Sequence, residues 1–174
     1  MRRPLLILTL LIAGSGCAPT TPRPTGSRQA LPSPVVPPAP VAPRPAADWR
    51  DWPVTPGDWT YAHDGRGSAA TFGASPAGAL AVLRCDLPNS RLFLSRAGGM
   101  AGSLTVRTTS VVRQLSTGAT GGDPPYVAAV LPASDPLLDA MAFSRGRFTL
   151  EQAGQPPLVL PAWAEVGRVV EDCR

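Results

Sequence analysis

The sequence predicts a mainly β domain: a β-dominated α+β fold, built as a small antiparallel sandwich or open barrel, with one short internal helix and a closing C-terminal helix. Three observations predict it. Short apolar or alternating runs rich in β-branched and aromatic residues recur from Trp49 onward, separated by Gly, Pro, Asn and Asp clusters. Only two stretches, 135–143 and 161–173, carry the helical 3.6 period. The strands follow one another directly, with the helices late, which is the element order of an antiparallel architecture.

Each element has its own signal. Trp59–His63 and Ser68–Gly73 flank Asp64-Gly65-Arg66-Gly67, a hairpin turn. Ala79–Cys85 is apolar on both faces and is expected to be a central strand. Asp86–Ser90 turns the chain into Arg91–Ser95, which alternates. Leu104–Thr109 and Val111–Ser116 form a fifth and a sixth strand across a short kink, and Thr117–Pro125 is expected to be loop. Tyr126–Leu131 is again a strand. Asp135 or Ser134 can cap a helix whose first position is Pro136 and whose apolar face is Leu137, Leu138 and Met141. Arg147–Glu151 and Pro157–Leu160 form a hairpin around Ala153-Gly154-Gln155. In the last stretch Trp163, Val166, Val169, Val170 and Cys173 fall on one helix face, and Glu165, Arg168, Glu171 and Asp172 on the other. The cysteine that ends this face needs a partner, and Cys85 at the end of the central strand is the best one; two buried thiols are the alternative. A helix of about three turns is marginal alone, so the sequence expects loss of such a bridge to free the helix before the sheet unfolds.

The N-terminal part is of another kind. Arg2 and Arg3, the apolar run Leu5–Ala13 and the small residues Gly14-Ser15-Gly16 read as a signal peptide over residues 1–16. The apolar run is shorter than the ~20 residues a bilayer span requires. Ser15, Gly16 and Cys17 resemble the lipobox of bacterial lipoproteins, with Gly14 standing where that family has a branched aliphatic residue. The resemblance implies lipidation of Cys17. Ala18 after it implies outer-membrane sorting, with the domain in the periplasm or at the cell surface. With Cys17 acylated, Cys85 and Cys173 remain as an even pair in an oxidising compartment. Residues 17–48 hold ten of the 22 prolines and no apolar periodicity. They are expected to be a disordered tether, stiffened by proline, leaving residues 49–174 as the folded β domain.

Charge and composition exclude several functions. The chain has no lysine, and its net charge of +4 comes from the N-terminal part. From Trp49 on, eleven arginines face eleven acids, so the domain lacks the basic stripe a nucleic-acid partner would require. One histidine, no CxxC and no HExxH argue against a metal or other cofactor. His63 beside a hairpin turn, without a Gly-x-Ser-x-Gly elbow, is a poor centre for a hydrolase, and no catalytic residue is assigned. Two groups remain as binding candidates. Trp49, Trp52 and Trp59 either cover an edge of the sheet where the chain enters it or form a stacking platform for a sugar or peptide. Arg145 and Arg147, flanking Gly146, either belong to a solvated turn or grip a carboxylate.

The run from Asp135 to Glu151, with its Leu/Met helix, its Ser144-Arg-Gly-Arg-Phe148 turn into a strand and the helix ending at Cys173, resembles the C-terminal half of small exported proteobacterial β-domains. These are proteins of the invasion-associated locus B kind and accessory proteins of type VI secretion loci. The resemblance covers residues 126–174, implies an exported β-domain and brings no catalytic residues. The expectation is a non-enzymatic binding or structural module in the envelope, joined to the membrane by its lipid, with a protein or glycan partner. A periplasmic inhibitor of a hydrolase such as lysozyme, or a secretion-system accessory protein, is the alternative.

Overall fold

The computed structural model describes residues 48–98 and 100–174. The expected signal peptide, the lipidation site Cys17 and, apart from Asp48, the tether lie outside the described residues.

Nine strands form one antiparallel sheet: β1 (Asp58–Asp64), β2 (Gly67–Gly73), β3 (Ala79–Asp86), β4 (Arg91–Ala97), β5 (Gly102–Arg107), β6 (Val112–Ala119), β7 (Tyr126–Pro132), β8 (Arg147–Gln152) and β9 (Leu158–Pro161). Helix α1 (Pro136–Ala142) lies between β7 and β8, and α2 (Ala164–Asp172) closes the chain. The spatial order is β1-β2-β3-β4-β7-β6-β5-β8-β9. The mainly β fold class holds. The sheet curls on itself as a half-barrel, so the open barrel, and not the two-sheet sandwich, is the form adopted.

Alternation explains the core. On β3, Ala81, Leu83 and Cys85 point inward, and on β4 Leu92, Leu94 and Arg96 do. These join Phe72, Leu104, Val106, Phe148, Leu150 and Leu160 in a single apolar cluster. Both helices contribute to it, Leu137, Leu138 and Met141 from α1 and Val166, Val169 and Val170 from α2. Asp135 caps α1, its carboxylate accepting from Leu137 N–H at 2.9 Å. Helix α2 lies against α1 and against β1, β2 and β3. Cys173, just past its end, is bonded to Cys85 of β3. Arg168 stacks on the Tyr61 ring at 4.1 Å, and the Tyr61 hydroxyl donates to Asp172 at 2.6 Å.

Several local readings differ from the sequence expectation. Pro161, read into the closing helical stretch, ends β9 instead, and β5 spans Gly102–Arg107 rather than Leu104–Thr109. Trp163 does not share the buried face of α2. It is extended (φ −91°, ψ 169°), precedes the first helical residue, and is 45% exposed. Strand β6 runs on to Ala119, because Gly118 and Ala119 pair with Ala128 and Val127 of β7. These two pairs are the whole β6–β7 ladder. Beyond its end, Arg113 of β6 grips Asp135 with two bonds of 2.9 and 2.7 Å and ties the strand to the start of α1. Strand β4 also extends past Ser95, to Ala97.

The sheet ends, β1 and β9, share no ladder and are joined by the Trp59 side chain and by the segment that precedes β1. Residues 52–57 run along β9 as a strap: Thr55 N–H donates to Val159 O, and Val159 N–H donates to Thr55 Oγ1, both at 2.9 Å. Trp59 Nε1 donates to Pro161 O at 2.8 Å while its ring packs on Phe72. An otherwise open strand edge is thereby covered. In the β1–β2 turn, Gly67 adopts φ +143°, and a Cβ there would lie 2.7 Å from Cys85 O, so the position requires glycine.

Candidate functional site: an arginine cleft beside the strap

The strap begins in a single 3-10 turn, Trp49–Asp51, capped by Asp48. This turn borders a cleft of about 900 Å³. Arg50 lines it from the turn, Thr109 and Ser110 from the β5–β6 connection, Asp139 and Phe143 from α1 and the residue after it, and Arg145-Gly146-Arg147 from the entry to β8. Gly146 takes φ +80°, a left-handed turn residue between the two arginines. The Arg145 N–H donates to Thr109 Oγ1 at 3.2 Å, fixing the backbone of this run.

The charges of the cleft do not balance. Its one acid, Asp139, is paired at 2.9 Å with Arg174. Arg147 is half-buried and donates to the Trp52 carbonyl at 2.6 Å, with no carboxylate partner among the described residues. The Arg145 guanidinium makes no hydrogen bond or ion pair among the described residues. Arg50 lies 5.1 Å over the Trp49 ring and meets Asp48 at 3.3 Å on the solvent side. Phe143, 77% exposed, stands at the rim. The unpaired Arg145 guanidinium, with Arg147 free of any carboxylate, beside two hydroxyl residues and an exposed aromatic ring, suits a ligand with a carboxylate and an apolar or planar part.

The three tryptophans named from the sequence do not form one platform. Trp49 is buried, and Trp59 is in the core, its indole N–H bonded to Pro161 O. Trp52 alone lines a surface groove, of about 430 Å³, on the outer face of β5, β6 and β8. Ser103, Thr105, Gln114, Glu151, Gln152 and Gln155 share that groove. Burial works to raise the Glu151 carboxyl, but Arg107 at 2.9 Å and the Thr149 hydroxyl outweigh it and hold it below the ordinary range. The groove's acid is therefore ionised and already neutralised.

His63 is exposed on β1, opposite Ser68 of β2. The Ser68 hydroxyl is fully buried, close to Tyr61 and Asp172 but in hydrogen-bond geometry with neither. The hydrogen bond that Tyr61 donates to Asp172 raises the Tyr61 hydroxyl and lowers the Asp172 carboxyl. Among the described residues no three His, Cys, Asp or Glu side chains converge as metal ligands, and no helix is long and apolar enough to cross a membrane.

Sequence reasoning missed Arg50 and Arg96; it named Trp52, but not the groove residues of β5, β6 and β8 that accompany it. Arg96 is buried and clamps the β8–β9 hairpin from inside, donating to Leu150 O at 2.7 Å, Pro156 O at 2.5 Å and Gln155 Oε1 at 3.3 Å. Burial pulls its pKa below the ordinary arginine value. The alternation Leu92, Leu94, Arg96 pointed inward all along. No family model matches the chain, and neither a curated protein nor a solved structure matches it.

Proposed function

We propose that this chain is a non-enzymatic binding module of the bacterial envelope, anchored in the outer membrane by a lipid on Cys17, and that the arginine cleft is where it takes a carboxylate-bearing partner. The observation that carries the reading is the Arg145–Arg147 pair, lined up on a cleft whose only acid is already held by Arg174. A guanidinium without a partner keeps its capacity for a bidentate, charge-assisted bond. The tether of residues 17–48 would hold the domain off the membrane and within reach of protein or glycan.

Two experiments test this. Labelled palmitate should enter the wild-type chain and not Cys17→Ser, which should be released as soluble protein; equal labelling of both would refute the anchor. Titration of the full chain with carboxylate-bearing polymers should show binding that weakens with salt. Arg145→Ala should reduce it about tenfold, the loss of one bond to a charged group. Arg145 is the informative position because its guanidinium holds nothing else in place. Unchanged affinity in Arg145→Ala would remove the cleft from consideration.

A further inference from the structure

The arginine cleft and the Trp52 groove border the same turn, and together they select a class of ligand. We infer that the partner is an acidic glycan, whose carboxylate enters the arginine cleft while an adjoining sugar ring rests on Trp52 and hydrogen-bonds across the outer face of β5, β6 and β8. The inference rests on the cleft being a carboxylate site, as proposed above.

Arg50 lines the cleft and Trp52 lines the groove. They are two residues apart, so their Cα atoms lie within about 7.6 Å of each other. Arg147 ties the two together, because it lines the cleft and donates to the Trp52 carbonyl. A ligand a few sugar units long therefore reaches both.

The groove's chemistry suits hydroxyls. Gln114 of β6, Thr105 of β5 and Glu151 of β8 are register partners and form one polar row across three strands. Ser103 follows on the same face of β5, since Leu104 and Val106 point into the core. The Ser103, Thr105 and Gln114 side chains make no hydrogen bond among the described residues. Hydroxyls and amides both donate and accept, as a sugar ring requires, and Trp52 lines the same groove, an indole being the side chain on which a sugar's apolar face can rest.

An extended acidic peptide would fill the cleft but would find little in the groove. β5 is paired on both sides, by β6 and β8. Its backbone offers no free edge for an added strand, the usual way a sheet takes an extended peptide. The groove's one acid, Glu151, is paired with Arg107, so the groove offers an acidic peptide no free cation.

Calorimetric titration of the full chain with three probes tests the inference: trigalacturonate, its methyl ester and hexaglutamate. Trigalacturonate should bind most tightly. Esterification and Arg145→Ala should each weaken it about tenfold. Trp52→Ala and Thr105→Val should each weaken it several-fold and leave the residual hexaglutamate binding unchanged. Thr105→Val keeps the side chain's shape, and an unchanged melting temperature separates its effect from misfolding. If trigalacturonate binds no more tightly than hexaglutamate, and neither Trp52→Ala nor Thr105→Val affects it, the glycan inference fails while the carboxylate cleft stands. If the ester binds as well as the acid and Arg145→Ala changes nothing, both fail.

Discussion

Removing the disulfide by Cys85→Ala and Cys173→Ala together should weaken the domain as a whole rather than release its last helix. The two cysteines are 88 positions apart. Opening a loop of that length returns entropy to the unfolded chain equivalent to about 4–5 kcal/mol. Against this stand the anchors of α2 that remain. Val166 and Val169 are fully buried and Val170 is 2% exposed, all in the one core cluster. At roughly 1.5–3 kcal/mol for each fully buried valine, they hold the helix by about 5–9 kcal/mol, an upper range because the unfolded chain already buries some apolar area. Apolar burial thus matches or exceeds the covalent contribution, and α2 shares its core with Leu83 and Phe148. The sequence-level expectation that the helix is freed first gives way to joint unfolding. Native-state amide exchange is the assay. In the double variant, amides of residues 164–172 and 79–86 should lose protection by the same factor, about three orders of magnitude, since 1.4 kcal/mol is tenfold. Fast exchange confined to 164–172, with β3 still protected, would show that the bridge alone docks the helix and that the burial argument is wrong.

Arg96→Met should lower stability by about 3–5 kcal/mol, measured as a shift in urea midpoint, because it strands the Leu150 and Pro156 carbonyls inside the barrel end. Asp135 gives a pH-dependent case. Burial works to raise its carboxyl, and Arg113 with the Leu137 N–H outweighs it, so the folded-state pKa is depressed. The stability it contributes is fully present above the unfolded value of about 3.9 and is lost as pH falls through the lower folded value. Asp135→Asn should therefore be destabilised by about 1–3 kcal/mol at pH 7 and show a shallower loss of stability below pH ~4, read from melting temperature against pH. Gly67→Ala should destabilise by about 1–3 kcal/mol in urea, because its φ and the nearby Cys85 carbonyl both resist a Cβ.

Strands were legible where period two and turn residues agreed, as at Asp64–Gly67 and along Ala79–Cys85. The closing helix was legible from Val166, Val169 and Val170, and its cysteine pointed to Cys85. What failed was set by distant partners. Gly118 and Ala119 have no strand propensity of their own and pair only because β7 lies beside them. Trp163 fits the helical period on paper, but the helix starts one residue later. The order that seats β7 between β4 and β6, and β8 beside β5, depends on long-range pairing that no local pattern carries. For the site, Arg145 and Arg147 stood out as a pair around a glycine. That Arg50 joins them depends on where the strap lands, and that landing is fixed by bonds across 95 and 104 positions, from Arg147 to Trp52 and from Val159 to Thr55. The three tryptophans were a real cluster in sequence, but the fold sends them to three different surroundings.

The strap also has a mechanical side. A pull on the chain at Asp48, directed away from β9, loads the turn at Trp49–Asp51 before any strand of the barrel. The Arg147 bond to Trp52 O and the Thr55 bonds to Val159 lie one after another along its path. Tension meets them in series, like the teeth of a zipper, and each must bear the force alone. The half-barrel behind them, with α2 tied to β3 by the Cys85–Cys173 link, resists as a unit. Because Arg50 and Trp52 travel with the strap, modest force would dismantle both grooves while the barrel stays folded.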